Sequence, residues 1–482
     1  MKNEGSATAN GLLPLRLKLY HGFGAVAFGV KDNGFSVFLL IFYNQVLGMD
    51  AGLVSAALGL ALIIDAMIDP MLGNLSDRTY TRWGRRLPWL YAAALPLAIA
   101  WALLWSPPID GPPSFLGLLM VCVLVRMLLS ACEVPSVALV PELTSDYVER
   151  TTLFRYRYLF GWSGGLIMLL LAYIVFLPGD EMLKREGYVS FGVLGGVLIF
   201  LSVVISALGQ HKRVAHLPTQ KPPPFSLKVA FSEIYEAFSE RAFLILAAGA
   251  LGAFISQGMT FAITNYLYLF VWEFTQTAFI IYPLVLFVSV LIVFLTIGSL
   301  HERFGKPQTA FWATLVSLTL WTTPYVLRLA GAWPEIGGTL STALILGFVL
   351  VSNVFAVTVM ISASSMVAEI VEAFQVRTGR RAEGSFYSGN WFVQKCATGV
   401  GIFLAGMMIK LSGMPDNAKP GEVADAVLDN LTIYYIAASI GLALFSAYWL
   451  RRFPITRDDH EATLKTLDAA ARGNIDAGGV VP

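Results

Sequence analysis

Twelve long apolar segments are the feature of this sequence that most constrains its fold. Each holds about 20 or more residues, the length that crosses a lipid bilayer as a helix. Their approximate bounds are 20–47, 52–75, 88–106, 115–141, 157–177, 189–209, 242–270, 276–299, 308–330, 340–370, 386–411 and 430–451. Only 13% of the residues are charged, against about 25% in soluble proteins. The sequence therefore predicts an all-α integral membrane protein with twelve transmembrane helices, named spans 1 to 12 here, and excludes a soluble enzyme, a secreted scaffold and a disordered chain.

The longest internal polar stretch, at 210–241, separates the spans into two sets of six. We therefore expect an N-terminal six-helix half at 1–209, a cytoplasmic linker at 210–241 and a C-terminal six-helix half at 242–451. A polar cytoplasmic tail follows at 452–482, and it is too short to hold a soluble signalling domain.

The placement of Lys and Arg predicts the orientation in the membrane, because these residues concentrate in cytoplasmic loops. With a cytoplasmic N-terminus, five of the 33 basic residues lie in external loops or at external span ends: Lys184, Arg185, Arg328, Lys410 and Lys419. The opposite orientation would invert this ratio, so both termini are predicted to be cytoplasmic. The net charge of +1 provides no basic excess for a nucleic-acid partner.

A short string recurs after span 2 and after span 8. The copies read Gly73-Asn-Leu-Ser-Asp77-Arg78 and Gly298-Ser-Leu-His-Glu302-Arg303, and Arg85 lies in the basic run that follows the first copy. The glycine permits close helix approach, and the acid and basic residues can pair with neighbouring helix ends as a cytoplasmic latch. The simpler alternative is that these charges only follow the positive-inside rule. The duplicated string resembles the loop motif of the major facilitator superfamily, whose parallel six-helix halves form a rocking transporter.

Eight charged residues interrupt the apolar spans if Glu369 and Glu372 at the end of span 10 are left out as interfacial. Each costs about 2.5–3.5 kcal/mol on insertion scales and marks a functional site by default. The acids are Asp32, Asp65, Asp69 and Glu133, and the bases are Lys31, Arg126, Arg157 and Lys395. The alternative is a set of structural ion pairs that hold helices together, and for Arg126 we favour that alternative.

Asp65 and Asp69 are four residues apart on span 2, so they project from the same helix face about 5–6 Å apart. Two unpaired carboxylates in a low-dielectric site cannot both stay ionised without a cation. Either Na⁺ bridges them or one of them is protonated, and a purely structural pair is the less favoured alternative. Ser130 can add a hydroxyl ligand, and the ammonium of Lys395 can hold the empty site until a cation replaces it. The nearest histidine, His21, lies at the start of span 1, so no transition-metal site and no cofactor are expected.

Glu133 follows Ser130 by three residues on span 4, so both side chains share a helix face. Glu133 can accept hydrogen bonds from a polyol. Arg157 offers fork-shaped donors that suit vicinal hydroxyls or a carboxylate.

Several strings around these residues resemble the glycoside–pentoside–hexuronide:cation symporter family, which is melibiose permease-like and belongs to the major facilitator superfamily. They are Lys31-Asp32, Asp65-Ala-Met-Ile-Asp69-Pro70, Arg82-Trp-Gly-Arg-Arg-Leu-Pro-Trp89, Glu133-Val-Pro135, Tyr156-Arg157 and Gln394-Lys395. The resemblance is specific in spans 1–5 and 10–11, and it rests on hydropathy elsewhere.

The resemblance implies a secondary active symporter that moves a sugar or glycoside with Na⁺ or H⁺ across a bacterial inner membrane by alternating access. It implies a cation site of Asp65, Asp69, Ser130 and Lys395. It also implies a substrate site of Lys31, Asp32, Glu133, Arg157, Asn390 and Trp391. A small-molecule substrate, a monovalent cation and the lipid bilayer are the partners, and a monomer suffices mechanically.

Three positions depart from the melibiose permease pattern. Glu133 stands in place of an aspartate, Val137 in place of an aromatic residue and Ile68 in place of an asparagine that contributes to sodium preference. The identity of the sugar and of the ion therefore stays open. The alternative is a cation-coupled transporter of an amphiphilic lipid or other non-sugar solute. A membrane-embedded enzyme is not expected, because the histidines are scattered and no phosphate-binding loop string occurs.

Overall fold

The structure is a computed structural model, and it describes residues 12–108, 111–144, 146–216, 226–380 and 382–476. Twelve helices in these ranges are long and apolar enough to cross a membrane: Leu15–Val46, Ala51–Asp77, Leu87–Trp105, Phe115–Leu143, Glu149–Phe176, Arg185–Val214, Arg241–Val271, Gln276–Phe304, Lys306–Leu329, Thr339–Thr378, Glu383–Ser412 and Asp425–Leu450. They coincide with the twelve predicted segments, with ends shifted by up to about two turns. The prediction of an all-α protein with twelve spans is confirmed.

Within the described residues, two further α-helices and a short 3-10 helix, Gly179–Leu183, lie outside the spans. A linker helix runs from Leu227 to Phe238, and a tail helix runs from Arg457 to Asp476. Residues 217–225 of the predicted linker and residues 477–482 of the tail lie outside the described residues.

Polar residues in the short breaks begin several spans by capping free backbone amides. Asp50 accepts a hydrogen bond from the amide of Leu53 at the start of span 2. Ser114 does the same for Gly117 at the start of span 4. These caps explain why spans 2 and 4 begin directly after the polar breaks seen in the sequence.

Glycines let span 1 pack against span 5 with their backbones in contact. A Cβ atom added to Gly29 would lie 2.0 Å from the carbonyl oxygen of Gly161 and 2.6 Å from the amide nitrogen of Gly165. The same arrangement recurs between spans 7 and 11, where a Cβ on Gly401 would lie 2.2 Å from the carbonyl oxygen of Ile255. The contact of Gly29 with Gly161 and Gly165 brings spans 1 and 5 close together near Lys31, Asp32 and Arg157.

Wide π-helical turns interrupt spans 1, 5 and 7 near the ends predicted to be external. They are Gly34–Phe38 and Phe42–Val46 in span 1, Ala172–Phe176 in span 5 and Leu267–Val271 in span 7. Such turns insert one residue into an α-helix and occur often at functional sites. The first one begins two residues after Asp32.

The chain forms two compact units. The first unit comprises Met1–Ala230, Phe261–Pro283 and Ile402–Ala424, and the second comprises Phe231–Thr260, Leu284–Gly401 and Asp425–Pro482. The first unit therefore contains spans 1–6 together with parts of spans 7, 8 and 11. The division of the chain into two six-helix halves at 210–241 stays a prediction.

An aromatic cluster fills the core of the first unit. Trp105 stacks on Tyr188 with ring centroids 5.8 Å apart, and Phe42 packs against Tyr188 at 4.6 Å. Trp101 contacts Trp105 edge to face at 5.7 Å. Because Trp105, Tyr188 and Trp101 come from spans 3 and 6, the cluster anchors the second π-helical turn of span 1 to these two helices.

A polar cluster in the first unit joins the end of span 1 to segments that are distant in sequence. The Asn44 amide donates to the carboxylate of Asp416 at 2.8 Å, and the Gln45 amide donates to the carbonyl of Pro415 at 2.9 Å. The hydroxyl of Tyr266 donates to the side-chain oxygen of Asn44 at 2.8 Å. Buried polar groups that satisfy one another in this way hold their helix ends in a defined register.

Ion pairs and hydrogen bonds attach the linker and tail helices to the second unit. Glu236 of the linker helix pairs with Arg380. His460 of the tail helix lies 2.7 Å from a carboxylate oxygen of Glu372, and Lys306 lies 2.8 Å from one of Glu369. The acids at the end of span 10 therefore have polar partners on span 9 and on the tail helix.

Candidate cation and substrate site

The buried carboxylate of Asp65 lies at the contact between spans 2 and 4. Its residue is 3% exposed. The hydroxyl of Ser130 donates a hydrogen bond to Asp65 Oδ1 at 2.8 Å. The guanidinium nitrogen Nη1 of Arg126 lies 3.6 Å from Asp65 Oδ2. The structure thus brings together Asp65 and Ser130 as predicted, and it adds a basic residue that the predicted cation site did not include.

Arg126 is held by the helices around it. Its side chain is buried, and its guanidinium lies over the ring of Phe35, 4.3 Å from the ring centroid. Its Nε atom has no hydrogen-bond partner within the described part of the chain. The sequence argument treated Asp65 as one of two unpaired carboxylates, and the structure corrects it, because Arg126 neutralises the charge of Asp65.

Asp69 lies one helical turn further along span 2 and is half-buried. Pro70 follows it inside the same helix. Because proline has no amide hydrogen, residue 70 cannot donate the usual helical hydrogen bond to the carbonyl of Ala66. A backbone oxygen between the two acids is therefore left without its helical donor, in addition to the carboxylate and hydroxyl oxygens.

A second charged cluster joins spans 4 and 5. Arg157 is 7% exposed, and its guanidinium donates from Nη1 to the hydroxyl of Ser136 at 3.0 Å. Its Nη2 atom lies 3.8 Å from a carboxylate oxygen of Glu133, and the group stacks over Phe28 at 4.7 Å. Ser136 and Phe28 were not among the predicted site residues. Ser136 follows Glu133 by three residues, so a search of the same helix face would have found it.

Lys31 and Asp32 at the middle of span 1 pair with each other. Lys31 Nζ lies 2.5 Å from Asp32 Oδ1. The lysine side chain is 14% exposed and that of Asp32 is 68% exposed. The Asp32 carboxylate is therefore paired with a largely buried neighbour and still has oxygens accessible to a ligand.

The predicted site residues on span 11 belong to the second unit, which is described by itself. Asn390 and Lys395 are half-buried, and the indole of Trp391 is about half exposed. Trp391 and Lys395 are four residues apart and therefore share a helix face. An exposed indole beside a lysine is the kind of surface on which a sugar ring or another amphipathic ligand can stack.

The first copy of the duplicated string forms an ion-pair network at the end of spans 2 and 4. Arg86 lies 2.8 Å from a carboxylate oxygen of Asp77 and 3.3 Å from one of Glu142, and Arg85 lies 3.2 Å from Glu142. Arg78 donates to the side-chain oxygen of Asn74 at 2.7 Å. Arg86 and Glu142 are members of this network that sequence reasoning did not select.

The second copy has different partners. Arg457 of the tail helix donates to the backbone carbonyl of Glu302, and Arg303 lies over the ring of Phe304. The expected close helix approach at the glycines is wrong. A Cβ on Gly73 would meet only Val134, at an ordinary 3.5 Å, and one on Gly298 would meet nothing within 4 Å.

Comparison with known proteins decides the family. A family described as "MFS/sugar transport protein" matches residues 20–457. The chain belongs to this family. It is therefore a transporter of the major facilitator superfamily and not an enzyme, and the predicted resemblance to the glycoside–pentoside–hexuronide:cation symporters is confirmed.

Two curated relatives are similar to this chain over most of its length. The inner membrane symporter YicJ of Escherichia coli (strain K12) is 22% identical and covers 96% of both chains. The isoprimeverose transporter of Lactiplantibacillus pentosus is 24% identical over 81% of this chain and 79% of its own length. A solved bacterial homologue of the human lysosomal transporter Spinster shares the fold, with a TM-score of 0.63 and 15% identity over 94% of this chain and 97% of that chain. This major facilitator protein is thus an integral protein of the bacterial inner membrane.

Proposed function

We propose that this transporter is a secondary active symporter that moves a sugar or glycoside together with Na⁺ or H⁺ by alternating access. The observation that carries the proposal is the double role of span 4. Within one helical turn, its Ser130 contacts the carboxylate of Asp65, and its Glu133 contacts the guanidinium of Arg157. A cation cluster and a substrate cluster therefore share one helix.

The cation part of the site consists of Asp65, Asp69, Ser130 and Lys395. The two acids supply negative charge, and the hydroxyl supplies an oxygen ligand that already points at Asp65. Lys395 is proposed to balance the acids when no cation is bound. Binding of a monovalent cation between the acids would displace its ammonium from them.

The substrate part consists of Lys31, Asp32, Glu133, Arg157, Asn390 and Trp391. The exposed carboxylate of Asp32 can accept hydrogen bonds from hydroxyl groups, and Arg157 can donate to them in fork geometry. Trp391 offers an apolar face for the C–H side of a sugar ring. Sugar hydroxyls are both donors and acceptors, so this mixture of groups suits a polyol better than a purely apolar solute.

Coupling follows from the cost of leaving a buried charge unmatched. A carrier holding only the cation or only the sugar would rearrange with incomplete pairing, whereas each charged group of the empty and of the fully loaded carrier would have a partner. The halves at 1–209 and 242–451 would rock against each other, with the linker at 210–241 and the tail at 452–482 on the cytoplasmic side. The latch residues Gly73, Asp77, Arg78, Arg85, Glu302 and Arg303 would separate and re-form in each cycle.

The test is uptake into proteoliposomes of the full-length chain. Isoprimeverose, lactose and a panel of other glycosides are supplied under an inward Na⁺ gradient, an inward H⁺ gradient or no gradient. We expect gradient-dependent uptake of at least one glycoside, and loss of that dependence in Asp69→Asn. Asp425→Asn, an exposed acid at the start of span 12, is the matched control and should transport normally.

Uptake of every glycoside without any gradient dependence would contradict the symport mechanism. No glycoside uptake, together with cation-dependent uptake of a lysophospholipid by the same preparation, would replace the sugar with the amphiphilic alternative.

A further inference from the structure

An aromatic cluster of Trp83, Tyr91 and His211 lies where spans 3 and 6 meet, at the end predicted to be cytoplasmic. The ring centroid of Trp83 is 5.8 Å from that of Tyr91 and 6.3 Å from that of His211. The hydroxyl oxygen of Tyr91 lies 3.0 Å from Nδ1 of His211. Trp83 is nevertheless 41% exposed. Partly exposed Trp and Tyr residues at the end of a span are typical of the membrane–water interface.

The turn before span 3 holds Trp83 in this position. Gly84 has a φ of 86°, and a Cβ atom added to it would lie 2.9 Å from the carbonyl oxygen of Val214 at the end of span 6. The hydroxyl of Thr81 donates to the carbonyl oxygen of Gly84 at 2.8 Å and closes the turn. The turn is therefore packed directly on span 6, and the aromatic cluster is part of the fold.

Basic side chains surround the aromatic cluster. The guanidinium carbon of Arg82 lies 5.6 Å from the centroid of the Trp83 ring. Lys212 and Arg213 follow His211 directly, and all three basic residues are exposed. Within the described residues, none of the three forms an ion pair with a carboxylate, and Arg213 donates only to the carbonyl of Leu143, at 3.5 Å.

The acids near this cluster are already paired with other arginines. Asp77 lies 2.8 Å from Arg86, and Glu142 lies 3.2 Å from Arg85 and 3.3 Å from Arg86. These four charges balance one another. The three basic residues around the aromatic cluster therefore form a local excess of positive charge, which suits an anionic ligand.

Exposed apolar side chains run along spans 3 and 6 up to this cluster. They recur every three or four residues, so each set lies on one helix face. These side chains, which we call the apolar stripes, are 37–60% exposed: Leu95, Ile99 and Leu103 on span 3, and Leu201, Ile205 and Leu208 on span 6. Tyr91 lies one turn before the first stripe, and Lys212 lies one turn after the second.

The geometry of the stripes matches one leaflet of a bilayer. From Tyr91 to Leu103 the helix rises by about 18 Å at 1.5 Å per residue, which is close to half of the hydrocarbon core of about 30 Å. Spans 3 and 6 are also in direct contact, because a Cβ atom added to Gly196 would lie 2.9 Å from the carbonyl oxygen of Ala98. Acyl chains along the stripes would therefore end at the aromatic and basic groups.

We propose that Arg82, Trp83, Tyr91, His211 and Lys212 form a binding site for the headgroup of an anionic phospholipid of the cytoplasmic leaflet, whose acyl chains lie along the apolar stripes. The guanidinium of Arg82 can donate two hydrogen bonds to the phosphate, and the ammonium of Lys212 adds a second positive charge. Clusters of basic residues at the cytoplasmic ends of spans recognise anionic lipids in this way. The site is independent of the sugar symport proposed above.

The experiment measures lipid binding without any sugar. The purified full-length chain is delipidated in a neutral detergent and heated with increasing amounts of phosphatidylglycerol, or of phosphatidylcholine with the same acyl chains. Unfolding is followed by the loss of helical circular dichroism. A ligand that binds only the folded state raises Tm in a concentration-dependent way. We expect a saturable increase in Tm with phosphatidylglycerol, and none with phosphatidylcholine or with inorganic phosphate, which lacks acyl chains.

A pair of double variants locates the site. Arg82→Gln with Lys212→Gln should raise the phosphatidylglycerol concentration for half of the effect by about tenfold or more, because each basic residue near the membrane surface attracts anionic lipid. The matched control is Arg16→Gln with Lys465→Gln. It removes one arginine and one lysine from exposed positions that are also predicted to be cytoplasmic, and it should respond as the wild type does.

Two wild-type results would overturn the proposal even if a variant failed to fold. They are equal stabilisation by both lipids, and stabilisation by inorganic phosphate alone. A folded Arg82→Gln, Lys212→Gln variant with the wild-type response would also overturn it. So would an equal loss of response in the control, because the lipid would then respond to overall charge. Glycoside uptake is not part of these measurements, so the proposed symport and the lipid site can each fail without the other.

Discussion

Ser130 and Glu133 lie one helical turn apart on span 4, and each contacts a charged residue of a different neighbouring helix. Ser130 donates to Asp65 of span 2, and Glu133 pairs with Arg157 of span 5. A small rotation or shift of span 4 would therefore change both contacts together. In the proposed function, this relationship would link cation binding to substrate binding.

Replacing Ser130 or Ser136 of span 4 by alanine should separate the effects of the two contacts. Ser130→Ala removes the hydrogen bond to Asp65, so glycoside affinity should lose most of its dependence on the coupling cation. Ser136→Ala removes the acceptor of Arg157 Nη1 and should raise the Kd for the glycoside about tenfold or more, because a hydrogen bond to a charged group contributes about 1.5–3 kcal/mol.

Both variants are measured by tryptophan fluorescence titration at two pH values, with and without Na⁺. Ser130→Ala with an unchanged cation response would contradict the assignment of its hydroxyl. The two substitutions remove the same atoms from the same helix, so each serves as the control for the other.

Asp50 has two roles that two substitutions can separate. It caps span 2 through the amide of Leu53 and forms an ion pair with Lys410 at 2.9 Å. Asp50→Ala loses both and should destabilise the protein by about 0.5–2 kcal/mol through the cap. Asp50→Asn keeps the cap and loses only a partly exposed ion pair, so its Tm should stay close to that of the wild type.

The comparison is made by thermal unfolding in detergent at neutral pH. Equal losses of Tm in Asp50→Ala and Asp50→Asn would show that the ion pair, and not the cap, stabilises this helix start.

The stabilising effect of Asp50 should disappear in acid. Burial tends to raise the pKa of this carboxyl, but the ion pair with Lys410 and the amides of Leu53 and Gly52 outweigh it, and the pKa is lowered from 3.8. A lowered pKa in the folded state means that the contribution is complete above the unfolded value and is lost as the pH falls through the folded value.

We therefore expect the Tm difference between the wild type and Asp50→Ala to be constant from pH 8 to about pH 5 and to shrink below about pH 4. A difference that declined between pH 8 and pH 6 would point to another titrating group.

Gly29→Ala should damage the contact between spans 1 and 5. The new methyl group would lie 2.0 Å from the backbone oxygen of Gly161, which cannot move without shifting span 5. Overpacking of this kind costs about 1–3 kcal/mol. The lowered Tm is measured against Gly347→Ala in span 10, where the added methyl group would meet nothing within 4 Å and the helix should be unchanged or slightly more stable.

Normal stability and normal transport in Gly29→Ala would show that spans 1 and 5 are further apart than described. Gly401 approaches Ile255 in the second unit in the same way, so Gly401→Ala should lower Tm by a similar amount.

The sequence predicted the spans well because each is a long apolar run between polar breaks, which is a local property. It also predicted that Asp65 and Asp69 share a helix face, since helical spacing decides which side chains do so, and the assignment of Asp65, Asp69 and Ser130 to a cation site stays a prediction. It could not identify Asp65 as the partner of Arg126, because partners on different helices depend on the rotation and depth of each helix.

Contacts between different helices also explain the errors at the predicted latch and at the glycines. Glu142 binds Arg85 and Arg86 across helix ends, a contact that no spacing in the sequence indicates. Gly73 and Gly298 were expected to allow close packing, but their surroundings are open enough for a methyl group. Gly29 does have backbone atoms within 3 Å of its missing Cβ position, but it lies in none of the sequence motifs, so the sequence did not indicate this close contact.

The ion pairs within the first unit also determine how the membrane voltage acts on transport. Lys31, Arg126 and Arg157 each offset one acid, and Lys395 offsets Asp69 in formal charge, so the empty carrier has no net charge among these eight groups. In the proposed symport, binding one monovalent cation would give the loaded carrier a formal charge of +1. The membrane potential would then act on the loaded crossing alone, at about 2.3 kcal/mol per 100 mV, so transport would be electrogenic and the return of the empty carrier would be independent of voltage.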